Sequence, residues 1–265
     1  MRKLVLILAI FLLVSAGAEA KTPIKKKIPL PEEYGRVVIS NYSEKAGLAP
    51  VVFDHWLHRS MFTCRLCHID IGFAMKEDGS DIKAADNMKG FYCGTCHNGK
   101  KTYKGKAVFE SCSNSVLRND TGKCERCHLL GKKVKKEYDF SDFTEKFPKG
   151  RLGNRIDWEK AEDEGIIKPV DYIEGISAAR PAFKTQKDIN IGTKGGWMSE
   201  IIFSHDKHVF WNGCEVCHPS IFGVKRGETM YTMLDVSNGQ YCGVCHGSVA
   251  FPLYDCQRCH IKPVQ

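Results

Sequence analysis

Beyond residue 20 this 265-residue chain has no apolar run approaching the roughly 20 residues that a membrane-spanning helix needs, so the mature sequence carries no transmembrane segment. No cysteine stands beside Ala18-Glu19-Ala20, which excludes a lipid-anchored lipoprotein. Histidine is scarce, at 10 residues, and the stretch 131–196 has neither histidine nor cysteine, so metal and thiol chemistry is confined to the sequence on either side of it. What the N-terminus does have is an export signal: basic Arg2 and Lys3, an apolar run from Leu4 to Val14 too short to span a bilayer, and small residues at Ala18 and Ala20 that fit cleavage after Ala20. The expected location is the periplasm, with an extracellular or outer-surface position as the alternative.

Cysteine, in contrast, is abundant, and 12 of the 13 fall into one pattern. Cys-x-x-Cys-His occurs six times, as Cys64-Cys67-His68, Cys93-Cys96-His97, Cys124-Cys127-His128, Cys214-Cys217-His218, Cys242-Cys245-His246 and Cys256-Cys259-His260. Cys-x-x-Cys alone also serves zinc sites and redox thiols, so the histidine decides. At about 4% of this composition, a histidine directly after every pair is not coincidence. The spacing suits covalent haem c: two thiols add to the two vinyl groups of one porphyrin while the adjacent imidazole binds the iron from below. Six haem c groups are therefore expected, with His68, His97, His128, His218, His246 and His260 as proximal ligands.

Haem also changes how the charge is read. The formal charge is +8, and losing Arg2, Lys3 and Glu19 with the signal leaves +7. Each ferric haem with two propionates brings about −1, which nearly cancels the excess and removes the case for nucleic-acid binding. Six haems also leave little polypeptide for each, so they must form much of the core themselves. The expected fold is mostly irregular with short α-helices and little sheet.

The chain is a duplication. Phe53-x-His55-x-x-His58 precedes Cys64, and Phe203-x-His205-x-x-His208 precedes Cys214 with identical spacing. The second sites match as Tyr92-Cys93-Gly94 and Tyr241-Cys242-Gly243, and the third sites share Arg126 and Arg258. Before the third site 26 residues stand in the first copy and 9 in the second, so the first copy carries an insertion, which includes the unpaired Cys112. Cys112 reads as a free thiol, with an intermolecular disulfide or an unusual haem ligand as alternatives. The resulting organisation is a signal peptide at 1–20, a leader at 21–50, a first three-haem unit at 51–130, a linker or strap at 131–196 and a second unit at 197–265. The strap opens with the basic run Lys132-Lys133-Val134-Lys135-Lys136, and Asn154 to Ala161 reads as the start of a short helix.

Six histidines are proximal, which leaves His55, His58, His205 and His208. Three residues apart, each pair can reach from one helical turn toward two different haems. The third haem of each unit is left without a histidine. Phe-x-His-x-x-His followed by three Cys-x-x-Cys-His sites resembles the triheme cytochrome c7-type domains of the cytochrome c3 superfamily, over about residues 51–130 and 201–262. The resemblance implies that His55 and His205 are distal ligands of the first haem in each unit, and His58 and His208 of the second. Simple members have a further histidine ahead of the second site, which this chain lacks, and tandem relatives use methionine. The candidates are Met233, with Met230 behind it, in the second unit, and Met88 or Met75 in the first. A thioether ligand would raise that haem's potential above its bis-His neighbours.

These readings favour an electron carrier for anaerobic metal- or sulfur-type respiration, working by outer-sphere transfer rather than as an enzyme. The resemblance implies a quinone-linked cytochrome upstream and an outer-membrane conduit or terminal reductase downstream. Two alternatives stay open: a subunit of a conductive cytochrome polymer or membrane complex, and a multihaem reductase with an open third haem.

Overall fold

A computed structural model describes residues 28–112, 121–131, 138–181, 187–193 and 198–262. The export signal at 1–20, the start of the leader and the basic run at 132–136 lie outside the described residues.

Short elements joined by irregular chain make up the fold, as the composition implies. Strand β1 (Arg36–Ile39) pairs antiparallel with β2 (Val51–Asp54), Val37 opposite Phe53. Their Val and Ile residues suit a pleated, half-buried surface. Helix α1 (His55–Arg59) follows β2 directly. After a π-helical turn at Leu66–Ile71 come α2 (Ala84–Met88) and a 3-10 turn at Tyr92–Thr95. The first-copy insertion contains a small hairpin, β3 (Thr102–Tyr103) with β4 (Lys106–Ala107). Through the strap run α3 (Phe140–Phe143) and α4 (Trp158–Asp163). The second copy then repeats the first: β5 (Ile189–Ile191) pairs with β6 (Ile201–Phe203), α5 (His205–Asn212) follows, and α6 (Met233–Ser237) precedes a 3-10 turn at Tyr241–Val244. In both copies the hairpin's first strand lies upstream of the duplicated motif, in the leader for β1 and at the end of the strap for β5. Among the described residues no helix is long and apolar enough to cross a membrane.

Helix α4 starts at Trp158, a few residues inside the stretch that reads as helical. The reason is capping: Asp157 accepts from the Lys160 N–H, and Asn154 accepts from the Ile156 N–H and the Trp158 indole, which holds the preceding chain in a turn. This helix anchors a compact hydrophobic cluster, in which Trp56, Ile156, Trp158, Ala161 and Ile167 are buried and Leu57, Phe140, Phe143, Phe147 and Trp211 pack around them. Residues from the first copy, the strap and the second copy all contribute.

Ion pairs and backbone bonds fasten the strap further. Val170 donates to the Met61 carbonyl at 2.8 Å, and Thr63 donates back to the Val170 carbonyl at 3.1 Å. Arg65, 2% exposed, pairs with Asp171 and faces buried Asp70. Arg180 then reaches Asp70 and Glu215, each at 2.8 Å. Arg65 and Glu215 hold equivalent places inside the first Cys-x-x-Cys of each copy, so the strap bridges the two.

Candidate haem sites

Local geometry gathers the histidines in pairs. Helix α1 carries His55 and His58 on one turn. His55 lies with its ring centre 6.5 Å from that of His68, the planes nearly parallel at 8°, while His58 lies 6.3 Å from His97. In the second copy His208 lies 6.2 Å from His246. A metal–imidazole bond of about 2.0–2.1 Å on each side, with each ring centre about 1.1 Å behind its nitrogen, would put two axial rings about 6.3 Å apart. The three measured spacings therefore leave room for one metal ion between each pair. Phe53 and Phe203 back these helices, lying 4.4 Å from His58 and 4.2 Å from His208.

Backbone carbonyls orient the rings. Nδ1 donates to Gly35 O from His55, to Phe73 O from His68, to Ser204 O from His208 and to Phe222 O from His218, at 2.6–2.9 Å. The third-site histidines obey the duplication: His128 donates to Ala49 O and His260 to Ser199 O, both at 2.7 Å. A proton fixed on Nδ1 leaves the Nε2 lone pair for a metal. Burial also keeps the rings neutral, the state in which imidazole binds metal: desolvation pulls His55, His58 and His246 down to about 4. His205 donates to Lys187 O at a longer 3.3 Å.

The thiols line the same space. A cavity of about 1930 Å³ runs through both copies and is lined by Cys64, Cys67, Cys93, Cys96, Cys127, Cys217, Cys242, Cys245 and Cys259 together with His55, His58, His68, His97, His208 and His246. Ordinary small-molecule pockets hold about 300–1,000 Å³, so the space suits several large groups. Few hydrophobic side chains are buried for a chain of this length, consistent with a core completed by something other than protein. Among the described residues no three or more of His, Cys, Asp and Glu converge in a metal-binding cluster. The donor set and the space fit haem c.

Burial raises the thiol pKa values, and the neighbours that add to the effect trace how the sites are connected. Cys67 is pushed up to about 12 by burial, then by Cys64, Cys96 and Cys93, and Cys93 to about 12 by burial, then by Cys127 and Cys112. Across the copies, burial followed by repulsion from Cys64, Cys217 and Cys242 takes Cys245 to about 12, and burial followed by Cys259 takes Cys242 to about 11. Each attachment site thus neighbours another, from Cys127 at one end to Cys259 at the other.

A profile described as cytochrome c7 and related cytochrome c matches residues 51–129 and 201–261, over half of the chain. The chain belongs to the cytochrome c7 family. As a multihaem cytochrome c7 it binds haem c covalently and carries electrons, and its six Cys-x-x-Cys-His motifs have the spacing that fits this attachment. Among solved structures it is similar to a c7-type three-heme cytochrome domain, 37% identical, covering 29% of this chain and 95% of that one with a TM-score of 0.27. It is also similar to the C-terminal hexaheme fragment of GSU1996, 26% identical over 89% of this chain and 99% of that one with a TM-score of 0.26. The dodecaheme cytochrome c GSU1996 itself is 22% identical over 86% of this chain and 74% of that one, with a TM-score of 0.27. No curated protein matches.

Other features of this cytochrome were hidden in the sequence. Gly94 and Gly243, each just inside a second-site Cys-x-x-Cys, lie so close to the preceding helix that a Cβ would sit 1.9 Å from the carbonyl oxygens of Asn87 and Val236. The repeated Cys-Gly was a signal, but only the backbone approach explains it. Methionine placement is uneven: Met75 lines the cavity, whereas Met88, Met230 and Met233 do not and are 42%, 76% and 55% exposed. Met233 begins α6 and Met88 ends α2, so they do not occupy equivalent positions. Cys112 lies near Asn87, whose amide donates toward its sulfur at 3.9 Å, beside the second and third sites of the first copy.

Proposed function

We propose that this cytochrome is an exported carrier whose two three-haem units, at 51–130 and 197–265, form one electron path through the strap. The observation that carries the proposal is the spacing of the histidine pairs. His55 with His68, His58 with His97, and His208 with His246 have the separation of two axial ligands on one iron. His205 with His218 is the fourth pair by the duplication. When bound, each haem iron supplies reversible one-electron exchange.

The protein's part is ligation, spacing and dielectric. Carbonyl-anchored Nδ1 atoms hold the imidazoles of His55, His68, His208 and His218 in place. Aromatic rings at Phe53, Phe109, Phe203 and Phe251 lie against the ligating histidines and keep water away. At the four haems that would have a histidine on each side, both axial positions would be taken by protein, so no substrate would reach the iron and the chemistry there would be outer-sphere. Partners are then redox proteins, a quinone-linked cytochrome on one side and an outer-membrane conduit or terminal reductase on the other.

The test is the ferrous protein under carbon monoxide together with low-temperature magnetic spectroscopy. Four bis-His haems that stay low-spin and do not bind carbon monoxide are expected. Avid binding at one or two haems per chain would overturn the carrier reading in favour of a reductase.

A further inference from the structure

Arg59 ends helix α1 and meets every part of the molecule that the carrier proposal needs to hold in register. One guanidinium nitrogen donates to the Val249 carbonyl at 3.1 Å, and the Val249 N–H in turn donates to the Cys245 carbonyl at 3.1 Å. The guanidinium carbon lies 4.4 Å from the ring centre of Trp158 in the strap and 5.3 Å from that of Trp211 in α5. Tyr34 of the leader joins the same corner, its hydroxyl donating to the Ala250 carbonyl at 2.6 Å. Arg59 lines the cavity between the attachment cysteines Cys64 and Cys245, which are its electrostatic neighbours.

Among the described residues Arg59 forms no ion pair, and its Nε is buried without a hydrogen-bond partner. A buried guanidinium left so is costly unless something else in the site compensates it. It is also absent from the duplication, because the equivalent position in the second copy is Val209. The charge thus sits on one side of the junction only, at the place where the two copies meet.

We propose that Arg59 is the positioning and redox-tuning residue of the junction. It ties the helix bearing His55 and His58 to the segment after Cys245, and it holds a fixed positive charge beside the first and fifth haem sites that favours an added electron there. The proposal rests on the carrier reading. A unit charge about 10 Å away at an effective dielectric near 20 changes a one-electron equilibrium by roughly tenfold or more, which is about 59 mV.

The test uses full-length holoprotein, with six haems confirmed by mass, and potentials of individual haems resolved by redox titration with magnetic resonance. Arg59→Met is expected to lower two of the six potentials, those of the haems at Cys64 and Cys245, by about tenfold in the reduced-to-oxidised ratio. Arg59→Lys keeps the charge and is expected to hold both within about threefold of the parent. Unchanged potentials in Arg59→Met, or a uniform shift of all six, would overturn the proposal. If Arg59→Met does not assemble, Arg59→Lys decides: a tenfold drop at both sites despite the retained charge counts equally against it. Failure of the carrier reading is seen separately, in the unmodified protein, as carbon monoxide binding or as no electron exchange between the units.

Discussion

The two copies share a motif but not an environment. In α1 the residues between and after the two histidines are Trp56, Leu57 and Arg59, and Trp56 is 3% exposed against the strap. The same places in α5 are Asp206, Lys207 and Val209, with Asp206 and Lys207 exposed. Lys207 instead pairs with Glu159 at 3.1 Å and Asp163 at 3.2 Å on the outer face of α4. Helix α4 therefore takes Trp56 of the first copy and Trp211 of the second on its buried side, and Lys207 of the second copy on its charged face. The consequence reaches the haem sites: Cys64 is half-buried, whereas Cys214 is exposed. Identical ligand chemistry is placed in two dielectric settings, and this is how a duplicated sequence can hold haems of unequal potential.

The widest test of this comparison is to withhold haem. Because few hydrophobic side chains are buried, a chain made without haem attachment should show no cooperative unfolding in either copy by circular dichroism and calorimetry. A cooperative transition in the first copy alone would show that the strap cluster folds it unaided.

Next in size is the feature the copies have in common. Gly94→Ala and Gly243→Ala each force a methyl against a backbone carbonyl and should each cost at least about 1–3 kcal/mol in denaturant unfolding. Tolerance at one glycine and not the other would break the equivalence of the second sites.

Arg180 links the copies through Asp70, whose side chain is 4% exposed, and Glu215. Arg180→Ala leaves Asp70 with Arg65 as its remaining partner, and a loss of about 1–3 kcal/mol is expected in the same measurement, discounted for the exposure of Glu215. The smallest effect belongs to the solvated contact. Lys207→Ala should cost less than about 1 kcal/mol and lose even that at high salt. A larger loss there would mean that the second copy docks on the strap through charge rather than through Trp211.

Legibility differed by kind of residue. The six Cys-x-x-Cys-His motifs stood out in the sequence because covalent attachment dictates their spacing, while the two histidine pairs three residues apart stood out by their duplication. The fold class followed from counting how little chain serves each haem. Methionine could not be placed, since a flexible thioether leaves no spacing rule, and Met88 and Met233 stand at opposite ends of equivalent helices. The helix at Trp158 was visible as a tendency, and its start was set by the Asn154 and Asp157 caps.

The sequence by itself determined the cofactor, its number and the duplication, because bonds to sulfur and iron depend on which residues stand a fixed few positions apart. Tertiary structure alone decided which residues of each copy meet the strap, which carbonyls orient imidazoles such as His55, His128 and His260, and where Arg59 leaves its charge. Those outcomes depend on residues far apart in the chain, such as Arg59 with Val249 and His128 with Ala49. Burial, which sets the strength of each buried charge and keeps His55, His58 and His246 neutral, exists only once those distant segments have packed together.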